Sequence, residues 1–321
     1  MLTVENLSVD FTTGRGQLQA VQDVSFHLDE GEIVGVVGES GSGKSVTAQS
    51  IMRLHPANGR ITGGDIRYRG RSVRDMTGEE LRAFRGRQVA MIFQEPGRSF
   101  DPIYSIGKSM AETLRAHQPE LSDDEVRERS ITLLEEVHVT NPAGRLDNFP
   151  HQFSGGLLQR IMIAHALAGD PAILIADEPT TALDVTIQAG IVNLLMELRR
   201  RRNLAILFIT HNLALISNCA DRIVVMYGGL VMEQGPAREV LTRPHHPYTA
   251  GLLSSLIAFG AHHSTQSLRI LSGSPPDPTQ PEPGCPFAPR CPLVTEECRR
   301  AVPPVRQERE SLVRCVVEGP K

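Results

Sequence analysis

Apolar and polar residues alternate through LTVENLSVDF (residues 2–11) and VQDVSFHL (21–28), which predicts strands near the N-terminus. Four short, mostly apolar runs follow: EIVGVV (32–37), VAMIF (89–93), AILIA (172–176) and AILFIT (205–210). Each has the length and composition of a strand buried on both faces. Residues 46–54 read as the start of a helix. Residues from 95 to about 170 lack β-branched runs and predict a largely helical stretch. Within it, Ser122 with Glu125 three residues on forms a capping box, and the acidic first turn suits the helix dipole. Residues 172–235 return to strand–helix alternation. Such βα units, with polar motifs at strand C-termini, predict an α/β fold with a parallel sheet flanked by helices. Composition shifts from about residue 255, and residues 272–284 (SGSPPDPTQPEPG) hold five prolines and predict an extended linker.

The chain has 321 residues, which suits one large domain (1–254, with a helical subdomain at about 95–170) and a small extension (255–321). A 40% hydrophobic fraction supports a sizeable core. No run of 18 or more uncharged apolar residues occurs, so no membrane span is expected. MLTVENLSVDF lacks the basic and apolar regions of a secretory signal. A net charge of −4 gives no general case for nucleic-acid binding. The run Arg199 to Arg202 reads as a solvated helix C-terminus, where cations oppose the macrodipole.

Chemistry enters at Gly38-Glu39-Ser40-Gly41-Ser42-Gly43-Lys44-Ser45, which fits G-x-x-x-x-G-K-[ST] between a strand and a helix beginning at Val46. Glycines Gly38, Gly41 and Gly43 let backbone N–H groups approach phosphate oxygens, and the helix N-terminus adds partial positive charge. Lys44 is expected to reach the β- and γ-phosphates of ATP, and Ser45 to bind Mg²⁺, with Ser40 and Val46 in the same cradle. A second acidic site follows the strand at 172–176. Asp177 is expected to hold Mg²⁺, directly or through water, and Glu178 to orient or deprotonate the attacking water. His211 follows the strand at 205–210 and is expected to contact the γ-phosphate. Gln94 follows 89–93 and can coordinate Mg²⁺ or water.

With these residues in place, the chain resembles the nucleotide-binding subunits of ABC transporters. Phe153-Ser154-Gly155-Gly156-Leu157-Leu158-Gln159-Arg160 looks like the family signature, and Thr181-Ala182-Leu183-Asp184 like its D-loop. The resemblance implies a P-loop NTPase fold: a parallel sheet core, N-terminal antiparallel strands, a helical subdomain, and here a Cys-rich extension. It implies that Ser154, Gly155, Gly156 and Asp184 face ATP held by a second cassette, identical or homologous, and that Phe11 stacks on adenine. Leu157 and Leu158 depart from the usual polar residue after Ser-Gly-Gly, and Asn212 stands where Asp is common. Neither departure touches Lys44, Asp177 or Glu178, so hydrolysis is expected. Gln94-Glu95-Pro96 with Asp101-Pro102, Pro244-His245-His246-Pro247-Tyr248-Thr249 and the Cys-rich tail resemble the dipeptide/oligopeptide/nickel importer group. That implies an ATPase at the cytoplasmic face of the membrane, two integral membrane permease subunits, an extracytoplasmic binding protein as indirect partner, and no nucleic acid. Peptides are the first substrate class, nickel chelates or oligosaccharides the next. A soluble non-transport ABC ATPase is the rival, but one cassette with about 110 residues between Lys44 and Ser154 and no sustained heptads argues against it.

Cys285, Cys291, Cys298 and Cys315 are spaced C-x5-C, C-x6-C and C-x16-C. Structural zinc sites typically use C-x2–4-C pairs, whereas a [4Fe–4S] cluster tolerates wider spacing. Members of the group resembled carry such a cluster here, so the expectation is [4Fe–4S], with Zn²⁺ or uncoordinated cysteines as alternatives. The tail is too short to form a core alone, so metal would supply its folding energy. Cys219, in a helix-like run, reads as an ordinary buried thiol.

Overall fold

The computed structural model describes residues 1–14, 16–181, 183–255, 271–279 and 283–317. Its strands are β1 (Leu2–Thr13), β2 (Gly16–Leu28), β3 (Ile33–Val37), β4 (Gly59–Tyr68), β5 (Arg71–Ser72), β6 (Val89–Ile92), β7 (Ile173–Asp177), β8 (Ala205–Thr210), β9 (Arg222–Tyr227), β10 (Leu230–Pro236), β11 (Arg306–Glu308) and β12 (Ser311–Val313). The helices are α1 (Lys44–Ile51), α2 (Gly78–Arg87), α3 (Pro96–Ser99), α4 (Ile106–His117), α5 (Asp123–Glu136), α6 (Pro142–Arg145), α7 (Gly155–Leu167), α8 (Val185–Arg202), α9 (Leu213–Ile216), α10 (Ala237–Thr242), α11 (Pro247–Ser254) and α12 (Glu296–Arg300). Two compact units form: one from residues 1–28, 33–74 and 209 onward, the other from 29–32 and 75–208.

In the first unit, β2-β1-β4-β5 make an antiparallel sheet. The buried positions of β1 slip from Leu2 and Val4 to Leu7 and Val9, and the sheet absorbs the extra residue as a bulge. At the slip Asn6 has φ 49° and Asp23 opposite has φ 47°. The Asn6 amide donates to Asp23 at 2.6 Å, and its N–H to Ser25 Oγ at 2.8 Å. β3 is buried along its whole length and pairs in parallel with β9. Beyond β9 the pairing becomes antiparallel, through β10 to β12 and then β11. The last two strands come from the Cys-rich tail. Arg314 helps seat them: its N–H donates to Met232 O at 2.8 Å and its guanidinium meets Asp23 at 2.9 Å. The tail thus adds to an existing core and does not have to build one.

In the second unit, β6 and β7 pair in parallel, with β8 next to β7 in the sheet. Between β6 and β7 every regular element is helical. Ser105 caps α4, and Ser122 with Glu125 forms the capping box of α5. α7 buries Ile161, Met162, Ile163, Ala164 and Leu167. The arginine run ending α8 matches the solvated end that the sequence suggests only at Arg200 and Arg201, which are exposed. Arg202 meets Glu136 at 2.6 Å and Asp170 at 2.7 Å, while Arg199 Nε donates to Gly31 O at 2.6 Å. Three carboxylate or carbonyl partners close at hand hold these cations better than water at a frayed end. Asn203, in the left-handed region at φ 51°, then stops the helix. Among the described residues, no helix is long and apolar enough to cross a membrane.

Candidate functional site

The phosphate loop belongs to the first unit and joins β3 to α1. Gly43 is the N-cap of α1 at φ 97°, a left-handed conformation, and a Cβ there would lie 2.6 Å from Ala20 O. Glycine is therefore required twice over, by backbone and by space. No side chain caps α1, and its N-terminus, which carries the helix's partial positive charge, follows directly on the loop. Lys44 is 5% exposed. Its Nζ donates to Gly38 O at 2.9 Å, Glu39 O at 2.8 Å and Ser42 Oγ at 3.2 Å, so the ammonium is centred in the loop. Ser45 and Val46 are half-buried on the first turn, while Ser40 and Gly41 are more open. Phe11 lies half-buried on β1 against Gly59, its pairing partner on β4. His211 is exposed directly after β8. Asn212, the departure from Asp, serves the local fold, because its side chain accepts from Ala214 N at 3.0 Å and caps α9.

The acidic pair belongs to the second unit. Asp177 ends β7 and is 4% exposed; Glu178 follows at φ 46°. Positive φ in a non-glycine residue is uncommon and collects at functional sites. Glu178 Oε2 accepts from Gln94 Nε2 at 3.2 Å and from Thr181 Oγ1 at 2.7 Å. Two residues 84 positions apart in the chain are thereby joined. Thr181 is a new member. Its signal was a hydroxyl three residues after Glu178, inside a segment already singled out for another reason.

Ser154 is the N-cap of α7 with no side-chain cap bond, and it and Gly155 are exposed. A Cβ on Gly156 would lie 2.7 Å from Ile187 Cγ2, and one on Gly155 would lie 3.3 Å from Leu183 Cδ2. The signature glycines therefore abut the segment carrying Asp184, which is the exposed N-cap of α8. Leu158 is buried at 7%, so that substitution feeds the core of the helical stretch; Leu157 is half-buried.

The tail thiols gather in the first unit. Cys285, Cys298 and Cys315 are buried and Cys291 is half-buried. Burial pushes the Cys285 thiol up to about 11, and the charges of Cys298, Cys315 and Cys291 push the same way. Burial also raises Cys291 and Cys315. Backbone N–H groups of Phe287, Leu293 and Val317 point at Cys285, Cys291 and Cys315 respectively and oppose that rise. Among the described residues, no group of three or more His, Cys, Asp or Glu side chains is placed to hold a metal ion. The thiols share one desolvated neighbourhood without closing around a single ion. Cys219 is buried, its Sγ 3.5 Å from Leu215 O, as expected of an ordinary core thiol.

A family profile described as ABC transporter matches residues 21–181, and one described as Oligopeptide/dipeptide transporter, C-terminal region matches 232–298. A putative peptide import ATP-binding protein of Brucella abortus is 46% identical over 94% of this chain and 90% of its own. The chain belongs to the ABC transporter family. It is similar to the oligopeptide transport ATP-binding protein OppD of Escherichia coli, at 45% identity over 94% of this chain and 89% of that protein. It is also similar to the dipeptide transport ATP-binding protein DppD of Bacillus subtilis, at 44% over 94% and 90%. Among solved structures, the dimeric ABC cassette MJ0796 superposes with a TM-score of 0.66 at 27% identity, covering 74% of this chain and 99% of that one. The same cassette has been solved in a post-hydrolysis state with ADP and Pi. The fold is that of an ABC ATPase, and the chain is an ATP-binding, ATP-hydrolysing member of the family.

Proposed function

We propose that this chain is the ATPase subunit of an importer for di- or oligopeptides, working at the cytoplasmic face of the membrane with two integral permease subunits and a second cassette. The observation that carries this is similarity across nearly the whole chain, including the C-terminal region, to proteins named for peptide import. Residues 1–254 serve as the nucleotide-binding domain and 255–321 as its extension. The loop from Gly38 to Val46 cradles the phosphates, with Lys44 neutralising β- and γ-oxygens and Phe11 stacking on adenine. Ser45, Gln94 and Asp177 would hold Mg²⁺, whose charge would offset the negative charge that develops on the phosphates. Glu178 orients and deprotonates the attacking water, and His211 contacts the γ-phosphate. The Gln94 and Thr181 hydrogen bonds to Glu178 support this, because they fix the carboxylate's direction. Ser154, Gly155, Gly156 and Asp184 face the nucleotide of the second cassette. Exposed apolar Val185 (81%) beside Asp184 suits a cassette partner, and exposed Phe93 (42%) and Ile103 (70%) suit a permease segment.

The finer reading of the tail is a [4Fe–4S] cluster held by Cys285, Cys291, Cys298 and Cys315. Its support is a shared desolvated setting with N–H groups aimed at three sulfurs. A cluster would bind the tail's chain segments covalently to one centre. Iron and acid-labile sulfide in fourfold ratio to anaerobically purified protein would bear this out; colourless protein with stoichiometric zinc would overturn it.

The importer reading is tested by co-purifying the chain with its permease subunits, then measuring ATPase activity with the binding protein and candidate ligands. Stimulation by peptides and not by nickel chelates or oligosaccharides is the expected result. The reverse pattern changes the substrate class, and no association with a membrane protein removes the importer role. Glu178→Gln should keep MgATP binding and lower kcat by about 10²- to 10⁴-fold, the usual share of a general base. Unchanged hydrolysis would exclude Glu178 as that base.

A further inference from the structure

Two features lie outside the hydrolysis chemistry: the Pro-His-His-Pro-Tyr-Thr segment and the Cys-rich tail. Both end on the same residue of the phosphate loop, Glu39. Arg290, the neighbour of Cys291, grips the Glu39 carboxylate with both arms of its guanidinium, at 2.8 Å to Oε2 and 3.1 Å to Oε1. This is the planar two-bond pairing that arginine makes with carboxylates. The arginine is itself fixed. Nη1 donates to Tyr227 OH at 2.9 Å, Nε to Ser272 O at 2.9 Å, and Nη2 to Leu271 O at 3.2 Å. Its side chain is only 5% exposed, against 25% for Glu39.

The second hold is on the backbone. Glu39 N–H donates to the Tyr248 hydroxyl at 2.9 Å. Tyr248 is fully buried and packs on Tyr227 (ring centroids 4.6 Å apart) and on Phe287 of the tail (5.3 Å). Upstream, the buried Glu233 carboxylate accepts the N–H groups of His245 and His246, both at 2.9 Å, and His246 Nδ1 accepts that of Tyr248 at 3.0 Å. A cavity of about 260 Å³ beside the loop is lined by Glu39 to Ser42 on one side and by Pro276, Pro278 and Pro286 on another. The tail therefore walls the loop as well as bonding to it.

We propose that the C-terminal extension sets the ATP affinity of this subunit by positioning the phosphate loop, with Arg290 and Tyr248 as positioning residues acting through Glu39. The physical basis is pre-organisation. A loop whose backbone is already fixed loses less conformational freedom when it closes on phosphate. Coupling of this kind is reciprocal: if the tail tightens ATP binding, ATP must steady the tail by the same factor. The proposal rests on the loop around Lys44 being the nucleotide site.

The test uses the full chain, with MgATP affinity from equilibrium binding and kcat and KM from steady-state hydrolysis. Glu39→Gln and Arg290→Ala should each raise Kd and KM for MgATP about tenfold, within the usual range of site-to-site coupling, with kcat changed by less than about twofold. Arg290→Lys should be intermediate, since it keeps the charge and loses the fork. The double variant should be no weaker than either single one, because both remove one interaction. Hydrogen exchange in residues 283–317 should slow on adding MgATP to wild type, and not to Glu39→Gln. Unchanged affinity in folded Glu39→Gln, additive losses in the double variant, or no effect of MgATP on exchange in wild type overturns the proposal. Arg290→Ala can loosen the tail as a whole; Glu39→Gln, lying on the loop, keeps the test decisive in that event. Lys44→Ala serves as the separate control: if it leaves MgATP binding intact, the nucleotide-site assignment fails, and not the coupling alone.

Discussion

His246 makes the packing of the first unit pH-sensitive in a direction and amount that can be stated. It is 1% exposed, and burial pushes its imidazole down to about 3. In the unfolded chain the same group titrates near its ordinary value of 6.5. Below that value the unfolded chain binds a proton that the folded chain refuses. Stability therefore falls as pH falls, by about 1.4 kcal/mol per unit, until the folded group also titrates. Between about pH 7.5 and about pH 5.0 the loss from this histidine is about 2 kcal/mol. His165, buried and pushed down to about 4, adds a loss of the same sign. Glu233 works the other way: burial raises its carboxyl, so the folded state takes up a proton before the unfolded one and gains stability as pH falls. Both are common to wild type and variant and cancel in a comparison. His246→Asn keeps an acceptor for Tyr248 N–H and a good helix N-cap, without a titrating ring. Urea denaturation of both proteins at the two pH values should show the variant losing about 2 kcal/mol less than wild type on acidification. Parallel losses would refute the claim that His246 is held neutral by burial.

Phe287→Ala should cost about 3–5 kcal/mol, because the ring is fully buried among Tyr227, Tyr248 and His246. Thermal melting should report a lower midpoint and limited proteolysis a tail cut earlier than in wild type; an unaltered melt would mean the tail is not part of that core. Gly156→Ala should destabilise by about 1–3 kcal/mol, since the new methyl meets Ile187 at 2.7 Å. Adding Ile187→Ala should recover part of that loss in the melting temperature, and no recovery would show that the cost lies elsewhere.

The parts legible in the sequence were those with a local signature. β3 and β7 announce themselves as short apolar runs ending in motif residues, and the capping box of α5 needs only Ser122 and Glu125. The phosphate loop reads the same way, because its glycines answer to a backbone conformation and not to distant neighbours. The errors and omissions were long-range. The arginine run at the end of α8 resembled a solvated terminus, yet Arg202 finds Glu136, which is 66 residues away in the chain. A periodicity argument cannot supply that partner, since the pattern of α5 leaves Glu136 as one more surface acid.

The same reasoning explains why Glu39 passed as a variable position of the phosphate loop. The motif leaves it unspecified, and its two holds come from Tyr248 and Arg290, 209 and 251 residues further on. Each of those lies in a segment that stands out by composition, one by Pro and His, the other by Cys. Composition marked the segments and gave no direction. The direction comes from β9 and β10, which bring Tyr227 and Glu233 under the loop and offer Phe287, Tyr248 and His246 one aromatic core to share. A tail too short to stand alone is thereby anchored to the loop between β3 and α1, so that any change in its own packing has a route of two side chains to Glu39.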